Sequence, residues 1–370
     1  MSKKIIISGG GTGGHIFPAV SIATEIKKRE PDADILFVGA KGGMEMDVVP
    51  RYNFPIEGVW ISGIYRQLTF NNLRRNALFP IKLLTSLFQA RSIMKRFQPD
   101  AVVGVGGFAS GPMGRVASSK KVPLFLCEQN AYPGLVNRWL SKYADRILLG
   151  NGDANKYLDS SKTIVTGNPI RTFDLPDKKE ARKALGLDPE KPTILSLGGS
   201  LGARTINQAL LKDYHKIIEA GAQIFWQCGK IYVDELKTQV PEHPQVKLEA
   251  FIQDMGTAYA AADLIISRAG ASTISELIAL SKPAVIVPSP NVAEDHQTKN
   301  ALSLTEKNAA RLVKDVEAKE KMVDEALAVL GNQELLTELE KNIAGMEKHY
   351  AAKEIVDVIF AEIEKRQKSK

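Results

Sequence analysis

Cysteine is almost missing: only Cys127 and Cys228 occur in 370 residues, far apart and each inside an apolar run. Two such thiols build neither a disulfide framework nor a metal site, and a reduced cytoplasmic interior suits them. No run approaches the ~18 apolar residues that a spanning helix needs. Between Lys4 and the first glycine stand only Ile-Ile-Ile-Ser, too little for the apolar core of a signal peptide. Aromatic residues are 7% of the chain, and no aromatic run interleaves with the basic residues. Stacking on nucleic acid therefore lacks its usual platform, and no nucleic-acid partner is expected.

What is present is a soluble globular composition long enough for two domains. The net charge of +7 is uneven. Through Lys162 there are 22 Lys+Arg against 12 Asp+Glu, leaving the remainder slightly acidic. A basic front half points to an anionic partner there, a phosphorylated substrate or a membrane surface.

Short, β-branched, nearly continuous apolar runs alternate with helical stretches. KIIIS (4–8), DILFVG (34–39), AVVGVGG (101–107), PLFLCE (123–128) and RILLG (146–150) occupy the first half. TILSLGG (193–199), IFWQCG (224–229), LIISRAG (264–270) and AVIVPSP (284–290) occupy the second. Runs of this kind are parallel strands covered by helices on both faces. Each half opens with a strand that runs into glycines and then a helix: IIISGGGTGGH and ILSLGGSLGAR. The polar, proline-bearing stretch 166–192 reads as a linker. The expected fold is α/β, two Rossmann-like parallel-sheet domains facing across a cleft at the carboxyl ends of the strands. The boundaries expected are 1–166 and 167–347, with a C-terminal helix at 348–370 completing the first domain.

Residues 9–14 fit G-x-G-x-x-G, a weak signal alone. A dinucleotide site also wants an acid at the end of the second strand. Here that strand ends in Gly39-Ala40-Lys41, so NAD is disfavoured; a Walker loop fails because no Lys-Ser/Thr follows the last glycine. GVGGFASGP (104–112), GGSLGAR (198–204) and SRAGASTISE (267–276) are three more glycine loops that follow a strand and open a helix. Bare N–H groups at helix starts attract phosphate, and glycine permits its close approach. Four such loops in two domains suggest two phosphorylated ligands.

GGGTGGHIFPA, GGFASGP, EQNAYPGLVNRWL, TGNPIR, GGSLGAR, SRAGASTISE and DHQTKNA together resemble, in order and spacing, the MurG glycosyltransferases. The resemblance covers essentially the whole chain. It implies the two-domain GT-B fold and an inverting transfer of N-acetylglucosamine from UDP-N-acetylglucosamine to the C4 hydroxyl of undecaprenyl-diphosphate-linked MurNAc-pentapeptide, the lipid I to lipid II step of peptidoglycan synthesis. No cofactor is implied. Asp32-Ala33-Asp34, the only Asp-x-Asp triplet, precedes its strand, so no catalytic metal is expected.

The resemblance also assigns roles. Donor contacts fall to Arg171, Ser200, Leu201, Gly202, Phe251, Ile252, Arg268, Ala271, Ser272, Glu276, His296 and Gln297, joined by Thr12, Gly13, Gly14 and Asn130 from the first half. Within these, Glu276 accepts both ribose hydroxyls, Ser200 faces the diphosphate, and Phe251 and Ile252 lie where uracil meets the main chain. Family members often carry Gln where His296 stands. Arg171 and Arg268 either neutralise the leaving diphosphate or form ion pairs. Gly13, Gly14, Gly106 and Gly107 would cradle the acceptor diphosphate. His15 stands at a helix N-terminus, whose positive end disfavours the imidazolium and leaves a ring able to accept the acceptor's proton. Glu128 is a rival base or a structural carboxylate, and Asn130, an amide, is an orienter.

A lipid-linked acceptor requires membrane contact. In residues 71–97, Leu83, Leu87, Ala90, Met94 and Phe97 make one apolar stripe at helical spacing, expected in the core. Leu78, Phe79, Ile81, Leu84 and Phe88 make a second, ringed by Arg74, Arg75 and Lys82, with Arg91 and Lys95 further along. It is either buried too or an interfacial patch for an anionic membrane. The expected location is peripheral, on the cytoplasmic face of the bacterial plasma membrane. Rival functions are a sibling transferase with a diacylglycerol acceptor, an NAD-dependent oxidoreductase, and a non-catalytic UDP-sugar sensor.

Overall fold

The computed structural model of the chain describes residues 2–63, 76–170, 173–199, 201–292, 295–346 and 351–368. It divides into two compact units, Met1–Arg171 with His349–Lys370, and Thr172–Lys348.

The first unit holds seven strands: β1 (Lys4–Ser8), β2 (Asp34–Ala40), β3 (Ile56–Val59), β4 (Ala101–Gly104), β5 (Leu124–Glu128), β6 (Arg146–Leu149) and β7 (Thr163–Val165). They form one sheet in the order β3-β2-β1-β4-β5-β6-β7, every pair parallel. Side chains alternate between its faces, so Ile5 and Ile7 enter one core while Ile6 enters the other. All three are buried, as a strand covered by helices on both sides requires.

The second unit repeats the plan with β8 (Thr193–Leu197), β9 (Gln223–Gln227), β10 (Val246–Glu249), β11 (Leu264–Ser267), β12 (Ala284–Ile286) and β13 (Arg311–Leu312). Their order is β10-β9-β8-β11-β12-β13, again all parallel. In both sheets the order reverses beside the first strand of the unit, which is where ligands bind in open α/β sheets.

The last helix, Ala351–Lys368, belongs to the first unit. Ile355, Val356, Ile359 and Ile363 form a stripe at helical spacing in the core that also holds Ile22 and Ile26 of the helix Gly13–Arg29. Arg29 ties the two helices through Asp357 (2.5 Å) and the Lys353 carbonyl (2.9 Å).

One expectation needs correction. The stretch 166–192 is not only a linker: Lys178–Ala184 is a helix. Asp177 caps it, accepting the Lys179 N–H at 2.9 Å, and Arg182 is buried in a salt bridge with Asp263. The charged composition hid a helix held by one cap and one buried ion pair.

Candidate active site

In the first unit the loop Gly9–Thr12 leaves β1 and opens the helix Gly13–Arg29, with Gly11 at φ +86°. The Gly10 N–H donates to the Gly106 carbonyl at 3.3 Å. A Cβ on Gly107 would stand 2.4 Å from the Gly10 oxygen, so the loops after β1 and β4 touch backbone to backbone. His15 lies against both. Its Nδ1 is 3.0 Å from the Gly10 carbonyl oxygen and 3.4 Å from Thr12 Oγ1. A carbonyl oxygen only accepts, so in the neutral ring Nδ1 carries the proton and Nε2 holds the lone pair. That nitrogen faces Gly106, where an added Cβ would sit 2.8 Å away. The structure thus brings Thr12, Gly13, Gly14, His15, Gly106 and Gly107 together at the carboxyl ends of β1 and β4.

The loop after β5 adjoins them. Gln129 Nε2 donates to the Val105 carbonyl at 3.1 Å, and Asn168 Nδ2 donates to the Gln129 carbonyl at 2.9 Å. Glu128 is buried. Its Oε1 accepts the N–H of Asn130 (3.0 Å) and Asn130 Nδ2 (3.2 Å), while Oε2 accepts the N–H of Gly134 (2.9 Å) and Asn137 Nδ2 (2.9 Å). Taking a substrate proton would mean displacing these donors, so the geometry favours Glu128 as the brace of its loop. It holds Asn130 in place.

In the second unit the named residues gather at the carboxyl ends of β8, β10, β11 and β12. Leu201 is exposed and Gly202 has φ +81°. Phe251 is exposed, whereas Ile252 is buried in the core. Ala271 and Ser272 open the helix Ala271–Leu280, and the Ser272 Oγ is buried without a hydrogen-bond partner. Glu276, buried on the same helix, accepts a hydrogen bond from the Tyr259 hydroxyl at 2.6 Å. Gln297 Oε1 accepts the Ser289 N–H at 2.9 Å; His296 opens the helix His296–Thr305. Arg268 is paired with Asp315 and donates to the carbonyls of Val287 (3.1 Å) and Pro288 (3.3 Å). It is therefore a strut between the ends of β11 and β12 and the helix Asp315–Leu330. Arg171 and Ser200 lie outside the described residues, as do Arg74 and Arg75 of the basic patch.

Helix Phe79–Phe97 settles the two stripes. Ala90 and Met94 are buried, and Leu83, Leu87 and Phe97 pack against the same core. Ile81, Leu84 and Phe88 are 55, 60 and 66% exposed, with Leu78 exposed beside them. Phe79 packs inward. Lys82 is turned toward Ser62 Oγ at 2.8 Å and lies 5.8 Å from the centre of the Trp60 ring. Among the described residues, no helix is long and apolar enough to cross a membrane, and no group of three or more His, Cys, Asp or Glu could hold a metal ion.

Sequence reasoning missed several residues. Glu45 is buried against the first glycine loop, Asn137 bridges Glu128 and the Cys127 carbonyl, and Asp315 joins Arg268 to Thr205 Oγ1 (3.1 Å). The signal for Glu45 was an acid soon after two glycines in KGGMEMD, which also carries Asp47. The other two carried none.

The glycosyltransferase family 28 N-terminal domain matches residues 5–149, and the family's C-terminal domain matches residues 193–355. A UDP-N-acetylglucosamine–N-acetylmuramyl-(pentapeptide) pyrophosphoryl-undecaprenol N-acetylglucosamine transferase of Phocaeicola vulgatus is 48% identical, over 99% of this chain and 98% of its own. The Bacteroides thetaiotaomicron protein of the same name is 50% identical over 92% of each. The crystal structure of Acinetobacter baumannii MurG superposes with a TM-score of 0.75 at 29% identity, covering 97% of this chain and 99% of that one. A UDP-N-acetylglucosamine 2-epimerase structure, at 14% identity and TM-score 0.64 over 99% of this chain and 98% of its own, shares the fold alone. The two parallel-sheet domains are those of the GT-B fold. By these matches the chain belongs to glycosyltransferase family 28 and, within it, to the MurG family.

Proposed function

We propose that this protein transfers N-acetylglucosamine from UDP-N-acetylglucosamine to the C4 hydroxyl of undecaprenyl-diphosphate-linked MurNAc-pentapeptide. The activity named for full-length relatives near half identity supports the substrates. The observation that carries the chemistry is His15, whose Nδ1 is committed to the Gly10 carbonyl.

With that tautomer, Nε2 accepts the proton of the attacking hydroxyl. The hydroxyl oxygen bonds to the anomeric carbon from the side opposite UDP, the carbon–oxygen bond to the diphosphate breaks, and UDP departs with the electron pair. The configuration inverts. Negative charge grows on the diphosphate, where the N–H groups opening the helix Ala271–Leu280 and the Ser272 hydroxyl stabilise it. Ser200, Leu201 and Gly202 line the other glycine loop of the donor site. Glu276 accepts the ribose hydroxyls while Tyr259 steadies its carboxylate. Phe251 and the Ile252 main chain hold uracil; His296 and Gln297 read the sugar. Arg268 shapes the donor loop from its pair with Asp315, and Arg171 answers the leaving charge. Gly13, Gly14, Gly106 and Gly107 receive the acceptor diphosphate, and Asn130 orients the sugar. No metal takes part.

Leu78, Ile81, Leu84 and Phe88 form an exposed apolar face, and with Arg74, Arg75 and Lys82 it seats the protein on the anionic cytoplasmic face of the plasma membrane. Phe79 supports this face from the core side.

Mass spectrometry of a short-chain lipid-diphosphate acceptor tests the reading. The expected product gains one N-acetylhexosamine, only from UDP-N-acetylglucosamine. Unchanged acceptor, with the donor bound, would refute the assignment.

A further inference from the structure

Glu45 follows Met44 and opens a short helix, Glu45–Val48, just after β2. It is 1% exposed. Three glycines make room for it: a Cβ on Gly10, Gly39 or Gly43 would fall 2.2, 2.4 or 2.5 Å from its side-chain atoms. The cavity those glycines leave is filled by a carboxylate. Its Oε1 accepts the Ala40 N–H at 2.8 Å, which anchors it to the end of β2. Its Oε2 accepts the Gly11 N–H at 2.8 Å.

That second bond matters because of what lies across the same peptide. The Gly10–Gly11 peptide group offers its N–H to Glu45, and its carbonyl, Gly10 O, to His15 Nδ1. A carboxylate, one peptide unit and an imidazole are thus joined in sequence. Hydrogen-bonded groups in a chain polarise one another, so an anion at the peptide N–H makes the carbonyl oxygen a stronger acceptor. A stronger acceptor holds the Nδ1 proton in place, and it stabilises the ring once Nε2 has gained a second proton.

We infer that Glu45 is a positioning residue for His15, acting through the Gly10–Gly11 peptide to fix the ring's tautomer and to stabilise its protonated form. The inference deepens the proposed role of His15 as base and rests on it for its catalytic meaning. When the acceptor's proton reaches Nε2, the Nδ1 proton remains where it is, directed at Gly10 O. No proton passes to Glu45. Residues 104–112 contain no titratable side chain, and neither does the loop Gly9–Thr12. Glu128, the buried acid at the carboxyl end of β5, is enclosed by the donors of its own loop.

The test is NMR of His15 in the full-length protein and in Glu45→Gln, which keeps the shape and removes the charge. In the wild type, ring 15N shifts should show the Nδ1–H tautomer. In Glu45→Gln the His15 titration midpoint should fall by about half a pH unit or more, as loss of a nearby anion requires, and the tautomer should become mixed. The acid limb of kcat/KM should move down with it. Unchanged midpoint and tautomer in a folded variant would overturn the inference, leaving Glu45 as a loop brace that affects only stability. Should the variant not fold, the wild type decides: the Glu45 side-chain 13C and the Gly11 amide proton must both show a step at the His15 midpoint. A Glu45 signal flat through that pH also overturns it. Failure of the base reading is separate, because it would appear as full activity in His15→Gln with the NMR coupling intact.

Discussion

The glycine loops after β1 and β8 occupy the same place in two sheets of the same strand order, yet they are supported differently. After β1, the space beside the loop is filled by the Glu45 side chain, reaching back from the end of β2. After β8, the neighbouring strand's end supplies an uncharged amide instead: Gln227 Nε2 donates to the Gly199 carbonyl at 3.1 Å. A Cβ on Gly202 would fall 2.1 Å from the Cys228 carbonyl, and one on Gly229 would fall 2.3 Å from the Gly202 nitrogen. Backbone meets backbone there beside the uncharged Tyr232 ring, and Asn207 pins the Cys228 carbonyl at 2.8 Å. The first arrangement places a charge one peptide from a titrating ring. The second leaves neutral surroundings. In the proposed function, one fold would serve a proton-transfer site and an anion site by changing what stands behind the glycines.

The largest effect belongs to the ring itself. His15→Ala should lower kcat by about 10²–10⁴-fold, the usual worth of a positioned base, with KM for the donor little changed in steady-state assays. A reduced kcat/KM arising only from KM would remove the proton-transfer role from the first loop.

Substituting the glycines separates the two supports. Gly202→Ala meets backbone in a left-handed conformation, so chemical denaturation should show a loss of about 3 kcal/mol or more, or no folded protein. Gly39→Ala meets only the Glu45 side chain and should cost about 1–3 kcal/mol. Adding Glu45→Ala to Gly39→Ala should recover part of that loss, a non-additivity. Strict additivity would mean that the carboxylate is not what the glycine accommodates.

Helix Phe79–Phe97 gives a second contrast, between its two stripes. Leu84→Glu with Phe88→Glu should weaken binding to anionic vesicles by about tenfold or more at low salt while leaving the melting temperature nearly unchanged. Met94→Ala, on the buried stripe, should do the reverse, costing about 2–4 kcal/mol without altering vesicle binding. Equal vesicle binding in all three proteins would mean that the exposed stripe faces something other than lipid.

Smaller effects are expected in the second unit. Tyr259→Phe removes the hydroxyl that donates to Glu276, and donor KM should rise by roughly fivefold, the worth of about one hydrogen bond. Lys282, whose Nζ donates to the Ala262 carbonyl, has its pKa pushed down to about 8, chiefly by burial. Its unfolded form keeps the proton up to about pH 10.4, so between the two values the unfolded state binds more protons and stability rises with pH. The cost of charging Lys282 is fully present below pH 8. The melting-temperature difference between Lys282→Met and wild type should therefore shift in favour of wild type from pH 7 to pH 10. A constant difference would contradict this.

The central strands were legible in the sequence because each is covered on both faces and is almost continuously apolar, as in KIIIS and LFLCE. The strands not anticipated, β3, β7, β10 and β13, are the four sheet edges. They read IEGV, TIV, VKLE and RL, short and mixed, since an edge strand is covered less completely. The glycine loops and the place of His15 were legible for a related reason: a glycine loop between a strand and a helix, and a residue at the start of that helix, are marked in the local sequence. Side chains that support from a distance were not. Glu45 reaches its loop from the short helix after the next strand, and Arg268 meets Asp315 across 47 positions of sequence. Local pattern can show an acid beside glycines, as at Glu45, but not the partner it meets.

The most direct measurement of the central claim is UDP release by purified protein in EDTA, supplied with UDP-N-acetylglucosamine, with and without a short-chain lipid-diphosphate MurNAc-pentapeptide. The account predicts release that depends on the acceptor, persists in EDTA and is lost in His15→Ala. Release independent of the acceptor, or none despite bound donor, would contradict it.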